Sequence, residues 1–249
     1  MMDSNTQAAT AERLLDERTR AETRTAEPHR IGAKLSEIIL GGQDGLVNVA
    51  GVILGLAAAT PDMRIIIAGG LAATFAESIS MAAVAYTSAL ADHDFYRAQR
   101  AHERREIRAT PELERDEIRE IFAGWGFEGD LLDAAVEHIT NHEEHWLDIM
   151  MAHELNLQPV QEKHLLSDAL LVGFSAIVGS LVPLAPFFFL PRMTAVWAGL
   201  IFSAVVLFAV GAIKARLTVG RPLRSGVQMM LIGILSALAG YGIGALFGG

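Results

Sequence analysis

A chain of 249 residues that is 51% hydrophobic, with a mean hydropathy of +0.33, yet carries a formal charge of −9 must keep its charged and apolar residues in separate segments. The absence of cysteine excludes a disulfide framework, a thiolate zinc site and a cysteine nucleophile. The 29 acidic residues against 20 basic ones argue against nucleic acid as a partner, because phosphate neutralisation needs a surplus of Lys and Arg.

Residues 1–30 form a polar tail rich in Ala, Glu, Arg and Thr, closed by Pro28, with no apolar stretch of the kind a cleavable signal needs. The next segment, 31–91, holds two predicted membrane spans, 38–59 and 65–90. Each is long enough to cross about 30 Å of hydrocarbon. In the first, Asp44 sits within Gly41-Gly42-Gln43-Asp44-Gly45, where a charge is costly unless it faces protein or a water-filled interior. In the second, Glu77 and Met81 are four residues apart and share a helix face. A carboxylate and a thioether on one helix, opposite Asp44 on another, would make a dehydrating site for a soft divalent cation that protons could displace. The alternative for Asp44 is a structural hydrogen bond, and for Met81 plain packing. Gly51 and Gly55 read as a helix-packing pair.

Residues 92–162 form a polar insert. The stretch 91–163 contains 18 of the 29 acidic residues and six of the eight histidines. The periodicity predicts a helix to about residue 108 that continues the second span, a break at Thr110-Pro111 with Thr110 as cap, and a helix over 112–123. Gly124, Gly126 and Gly129 interrupt the pattern before a third helix over 131–156. Glu103 and Glu106, and then Glu114 and Glu117, recur three apart, so each pair shares a face. Met150, Met151 and Glu154 follow on the third helix. Thioethers beside carboxylates favour softer transition ions such as Fe²⁺ over Mg²⁺ or Ca²⁺. The competing readings are a solvated acidic surface and core methionines. His138, His142 and His145 form a second candidate cluster, suited to Zn²⁺ or merely exposed. No Glu-x-x-His pair of the helical di-iron type occurs.

Residues 163–249 supply three more predicted spans, 169–190, 193–213 and 227–247. Pro183 and Pro186 are expected to bend the third span, and Gly240, Gly244 and Gly248 to form a packing face on the fifth. Of the 20 Lys and Arg residues, all but Arg64 and Arg192 fall in the N-terminal segment, the insert or the loop between spans four and five. The positive-inside bias therefore places the N-terminus and residues 91–163 in the cytoplasm. The fold class is an all-α polytopic membrane protein with five transmembrane helices and a three-helix cytoplasmic domain.

Asp44-Gly45 in the first span, Ser80-Met81 in the second, the acidic insert and the Met150-Met151-x-x-Glu154 motif together resemble the vacuolar iron transporter family, which includes the yeast vacuolar iron and manganese importer. The resemblance runs from about residue 30 to the C-terminus. It implies a homodimer in the lipid bilayer that exports cytosolic Fe²⁺ in exchange for protons, with the ion path at the dimer interface. Mn²⁺, Co²⁺ and Zn²⁺ are further candidate ions. Iron is then cargo and not a catalytic cofactor, and the protein is not an enzyme. Asp44 and Met81 match the family's in-membrane metal residues. Glu103, Glu106, Glu114, Glu117, Met150, Met151 and Glu154 match its cytoplasmic metal-binding domain. Two positions depart from the pattern: Ala73 stands where plant members carry an acid, and Ala33 where some relatives do, while Glu37 is retained. Glu77, one turn before Met81, is a candidate replacement carboxylate on the translocation path. The resemblance places the protein in the plasma membrane of a prokaryote or the vacuolar membrane of a eukaryote. The runner-up function is a membrane-anchored ferroxidase or iron store.

Overall fold

The computed structural model describes residues 35–159, 164–217 and 220–248. The expectations for the polar tail and for Ala33 lie outside these residues. Every regular element among the described residues is a helix. Five are long and apolar enough to cross a membrane: α1 (Leu35–Ala59), α2 (Met63–Ala109), α6 (Leu165–Leu184), α8 (Arg192–Leu217) and α9 (Pro222–Phe247). Between α2 and α6 lie α3 (Pro111–Gly124), α4 (Gly129–Thr140), α5 (Glu143–Ile149) and a π-helical turn, Met150–Glu154. A short α7 (Pro186–Phe189) precedes α8. The chain divides into two compact units, one of Met1–Val84 with Ser167–Gly249 and one of Ala85–Leu166.

The first unit is a bundle of spans. Val49, Ile53 and Ala57 of α1 bury against Ile66 of α2, Leu184, Phe187, and Ala195 and Val196 of α8, and Leu46, Leu207 and Met229 form a second cluster. Large apolar side chains such as Phe174, Trp197, Leu235 and Leu246 point outward. Water would not tolerate so much apolar surface, whereas hydrocarbon does. Dispersion and close approach hold such helices together in lipid, and the glycines provide the approach. A Cβ on Gly240 would lie 2.0 Å from the Gly51 carbonyl oxygen, and one on Gly244 would lie 1.9 Å from that of Gly55, so the two glycine faces that the spacing marks meet each other and α9 rides directly on α1. On another side of α1, Gly42 and Gly179 bring α6 equally close. Arg192, at the start of α8, donates from Nη1 to the Ala57 carbonyl at 2.7 Å and so ties down the open C-terminal end of α1. Within α2 the buried Thr74 and Ser78 hydroxyls return to the Gly70 and Thr74 carbonyls, at 2.8 and 2.6 Å.

The third span is interrupted at the prolines expected to bend it. Pro183 lies in the last turn of α6, which ends at Leu184, and after the single residue Ala185, itself helical in backbone, Pro186 opens α7. Pro186 has no N–H to continue the α6 ladder, so the regular span stops there.

The second unit takes in the polar end of α2 and the helices that follow. α2 runs unbroken to Ala109, as the periodicity predicts. Thr110 is not the side-chain cap expected of it. Its hydroxyl contacts the Glu106 carbonyl at 3.3 Å, and Pro111 alone opens α3. Gly126 and Gly129 take left-handed φ of 90° and 55°, which a β-carbon would penalise, and so turn the chain into α4. The helix predicted over 131–156 is three pieces. The Thr140 hydroxyl bonds back to the Val136 carbonyl at 2.9 Å, Asn141 follows, and His142 adopts extended backbone before α5 begins. Such side chains compete with the helical ladder, and here the competition ends α4. After Ile149 the ladder widens: Leu155 N–H donates to the Met150 carbonyl at 3.1 Å and Leu157 N–H to that of Met151 at 2.8 Å. π-turns of this kind cluster at functional positions.

Candidate metal-handling sites

In the first unit, α1 and α2 bring their two carboxylates together. The Glu77 carboxyl lies within hydrogen-bonding reach of the Asp44 carboxyl and of the Asn48 side chain. Both acids are half-buried inside membrane-spanning segments. Met81 is half-buried one turn beyond Glu77 on α2. Gly41, Gly42 and Gly45 flank Asp44, and a Cβ on Gly45 would strike the Ala176 carbonyl oxygen at 2.3 Å. The glycines therefore serve the contact of α1 with α6, which sets the height and rotation of the helix that carries Asp44.

The second unit assembles an acidic pocket around a small apolar core. Ile107 of α2, Ile118 and Phe122 of α3, Val136 of α4, Trp146 and Leu147 of α5, and Met150 and Met151 of the π-turn form that core. Helical spacing fixes who borders it. Glu103 lies one turn before Ile107 and Glu114 one turn before Ile118, and both are buried, at 3% and 5% exposure. Glu106 and Glu117 are half-buried beside them, and Glu154 at the end of the π-turn is more open.

The electrostatics are those of a cluster short of cations. Burial, a side-chain hydrogen bond with Glu114 and the charges of Glu154, Glu114 and Glu106 push the Glu103 carboxyl up to about 8. Burial and the charges of Glu154, Glu114, Glu106 and Glu120 raise Glu117 to about 7. Glu154 is raised by desolvation and by Glu114 and Glu106. The structure thus brings together Glu103, Glu106, Glu114, Glu117 and Glu154 from three separate elements. Oε1 of Glu103 is buried without a hydrogen-bond partner, which is costly for a carboxylate unless a proton or cation completes it. Met150 and Met151, at 0% and 1% exposure, pack in the apolar core, which the competing reading of the sequence expects. Among the described residues, no three His, Asp or Glu side chains converge tightly enough to encircle an ion as they stand.

His138, His142 and His145 do share a face, with ring centroids 5.3 and 5.2 Å apart. His142 Nδ1 is engaged with the His138 carbonyl at 2.9 Å, and the three rings are exposed, so they line a surface and not a closed zinc site.

A third constellation is not among the sequence-based expectations. Arg100, Arg104 and Arg108, at helical spacing on α2, meet Glu143, Glu144 and Asp148 of α5. Arg100 binds Asp148 and Glu144 at 2.7 Å each, and Arg104 lies against Glu144 and 3.3 Å from Glu143. Arg108 binds Glu143 at 2.7 Å. Burial works against the Arg100 charge, but its bonds to Asp148, Glu144 and Tyr96 outweigh that and raise its pKa above the ordinary arginine value. The same contact lowers Glu144. Arginines recurring every four residues on a polar helix were the available signal.

Five apolar helices, the first two bearing a facing pair of carboxylates, with an acidic helical unit inserted in sequence between the second and third, define a multi-pass membrane protein. The VIT family model matches residues 35–245, and the chain belongs to that family. It is 33% identical over 213 residues to vacuolar iron transporter 1 of Oryza sativa subsp. japonica, covering 85% of this chain and 84% of the relative. Vacuolar iron transporter 1 of Eucalyptus grandis is 32% identical over 240 residues, 96% of this chain and 94% of that one. Protein CCC1 of Saccharomyces cerevisiae is 28% identical over 219 residues, 83% and 67% of the two chains.

Proposed function

We propose that the protein is a secondary transporter that moves Fe²⁺, with Mn²⁺ as a second cargo, out of the cytosol in exchange for protons. The observation that carries this reading is the pairing of Asp44 and Glu77 within membrane-spanning helices. Intramembrane acids are costly, and a facing pair is costlier unless a cation or proton neutralises it. Such a pair holds one divalent cation when both acids are ionised and releases it when they are protonated, which is the chemistry of exchange. Met81, one turn away, adds a soft donor that favours Fe²⁺ over Mg²⁺. The names of the relatives support iron as cargo.

The insert is the collecting domain. Glu106, Glu117 and Glu154, the more accessible acids, attract the hydrated ion, and Glu103 and Glu114 with the Met150 and Met151 thioethers replace part of its water. The orphaned Glu103 oxygen supports this role. Co²⁺ and Zn²⁺ fit the same donors. The Lys and Arg distribution supports a cytoplasmic insert, and the names of the relatives support a vacuolar membrane. The working unit is a homodimer, because five spans are few to enclose an ion path alone.

Fe²⁺ flux into sealed proteoliposomes, with and without an imposed pH gradient, tests the reading. Flux that follows the gradient and disappears in Asp44→Ala supports proton-coupled export. Oxygen consumption on adding Fe²⁺, without flux, would reject it in favour of a ferroxidase.

A further inference from the structure

The soft donors of the insert stand on a segment whose position is set from outside the acidic pocket. Met150, Met151 and Glu154 belong to the π-turn, which continues directly from α5. α5 has only seven residues, too short to hold its own register. One face of it, Trp146 and Leu147, is buried in the core, and apolar packing alone permits sliding and rotation. The other face presents Glu143, Glu144 and Asp148 to the three arginines of α2. Arg100 bonds Asp148 and Glu144 from two directions, which imposes a distance and angle that the single-point bonds of Arg104 and Arg108 do not. α2 also carries Glu103 and Glu106, and Glu103 lies one residue before Arg104 and three after Arg100. The ladder therefore ties the element bearing the thioethers to the element bearing the first pair of carboxylates.

We propose that the Arg100, Arg104 and Arg108 ladder is a positioning device that sets the soft-ion preference of the insert by holding the Met150 and Met151 sulfurs in register with Glu103 and Glu106. The proposal rests on the reading of the insert as a metal-collecting domain. Exposed ion pairs add little to stability one by one, so the consequence of the ladder lies in geometry.

A sign distinguishes this role from simple electrostatics. Removing a positive charge beside an acidic pocket should tighten cation binding if field alone matters. If register matters, the same change weakens binding of a thioether-seeking ion and leaves an oxygen-seeking ion almost unaffected. The experiment measures Co²⁺ and Mg²⁺ affinities of the detergent-purified full-length protein carrying Asp44→Ala, which removes the in-membrane site, with and without Arg100→Gln. Arg100→Lys, which keeps the charge but not the two-direction bonding to Asp148 and Glu144, serves as the second variant. Both substitutions should weaken Co²⁺ binding about tenfold, the size of an outer-sphere effect on a metal site, with Mg²⁺ affinity changed less than about twofold. Equal or tighter Co²⁺ binding in both variants, or equal losses for Co²⁺ and Mg²⁺, would overturn the proposal. Failure of the parent protein to bind Co²⁺ would instead defeat the collecting-domain reading.

Discussion

Glu77 of α2 and Asp44 of α1 bring their carboxyls within hydrogen-bonding reach inside the membrane-spanning bundle, with the Asn48 side chain alongside. Two acids on facing helices can be neutral together only by sharing protons or a cation. The two residues are therefore expected to hold the ion together, with protonation of the pair coupling its release.

Asp44→Ala removes the acid flanked by the glycines that dock α1 on α6. Fe²⁺ flux in proteoliposomes should fall at least about tenfold, the loss that even an outer-sphere change costs a metal site. The purified protein should keep its helical content, since Asp44 is not part of the apolar core. Undiminished proton-driven flux would remove Asp44 from the path.

Glu77→Gln keeps the shape and a polar contact to Asp44 but cannot exchange a proton. Fe²⁺ should still move down its own gradient, while the stimulation by an imposed pH gradient is lost. Stimulation equal to that of the parent would assign coupling to another group, and complete loss of flux would mean that an amide oxygen cannot stand in for the Glu77 charge in holding the ion.

The spans and their glycine faces are legible in the sequence because hydropathy and four-residue spacing are local properties. Spacing alone marks Gly240 and Gly244 as one packing face and Gly51 and Gly55 as another, but that these two faces meet is a property of the fold. The facing of Glu77 and Asp44 is only a possibility at the level of sequence, since the rotation of two helices depends on every contact between them. The break after Thr140 and the π-turn at Met150 escape a periodicity argument because each rests on one side-chain bond or one shifted backbone bond. The arginine ladder escapes for a different reason. Arginines on an acidic helix look like a solvated face until the partner helix is placed beside them.

The α1 and α9 contact should be sensitive to a single methyl. A Cβ on Gly244 would sit 1.9 Å from the Gly55 carbonyl oxygen, a backbone atom that no rotamer change can move aside. Gly244→Ala should therefore push the helices apart and cost about 1–3 kcal/mol, the usual penalty of overpacking. Gly242→Ala, on the same helix with nothing within 4 Å, is the matched control and should be neutral or slightly stabilising. Melting of the two variants in the same detergent compares them directly, and equal midpoints would show that α9 is free to shift.

The acidic pocket should make the metal-free insert less stable as pH rises. Glu103 and Glu117 have folded pKa values of about 8 and about 7, above the ordinary 4.5 that the unfolded chain would show. Between pH 4.5 and 8 the folded state therefore binds more protons than the unfolded one, and linkage makes stability fall with rising pH across that window. Below pH 4.5 both states are protonated, and the contribution of these groups is fully present. A divalent cation replaces the protons, so Co²⁺ at about a hundred times its dissociation constant should restore about 2.7 kcal/mol at about pH 7.5, with measurable proton release on binding. Glu103→Gln, which stays neutral at every pH, should flatten the decline and lose part of the Co²⁺ rescue. The measurement is insert unfolding followed from about pH 5 to about pH 8 by tryptophan fluorescence, since Trp146 belongs to the insert core. A midpoint that rises over this range, or an identical slope in Glu103→Gln, would show that the acids are already neutralised within the fold.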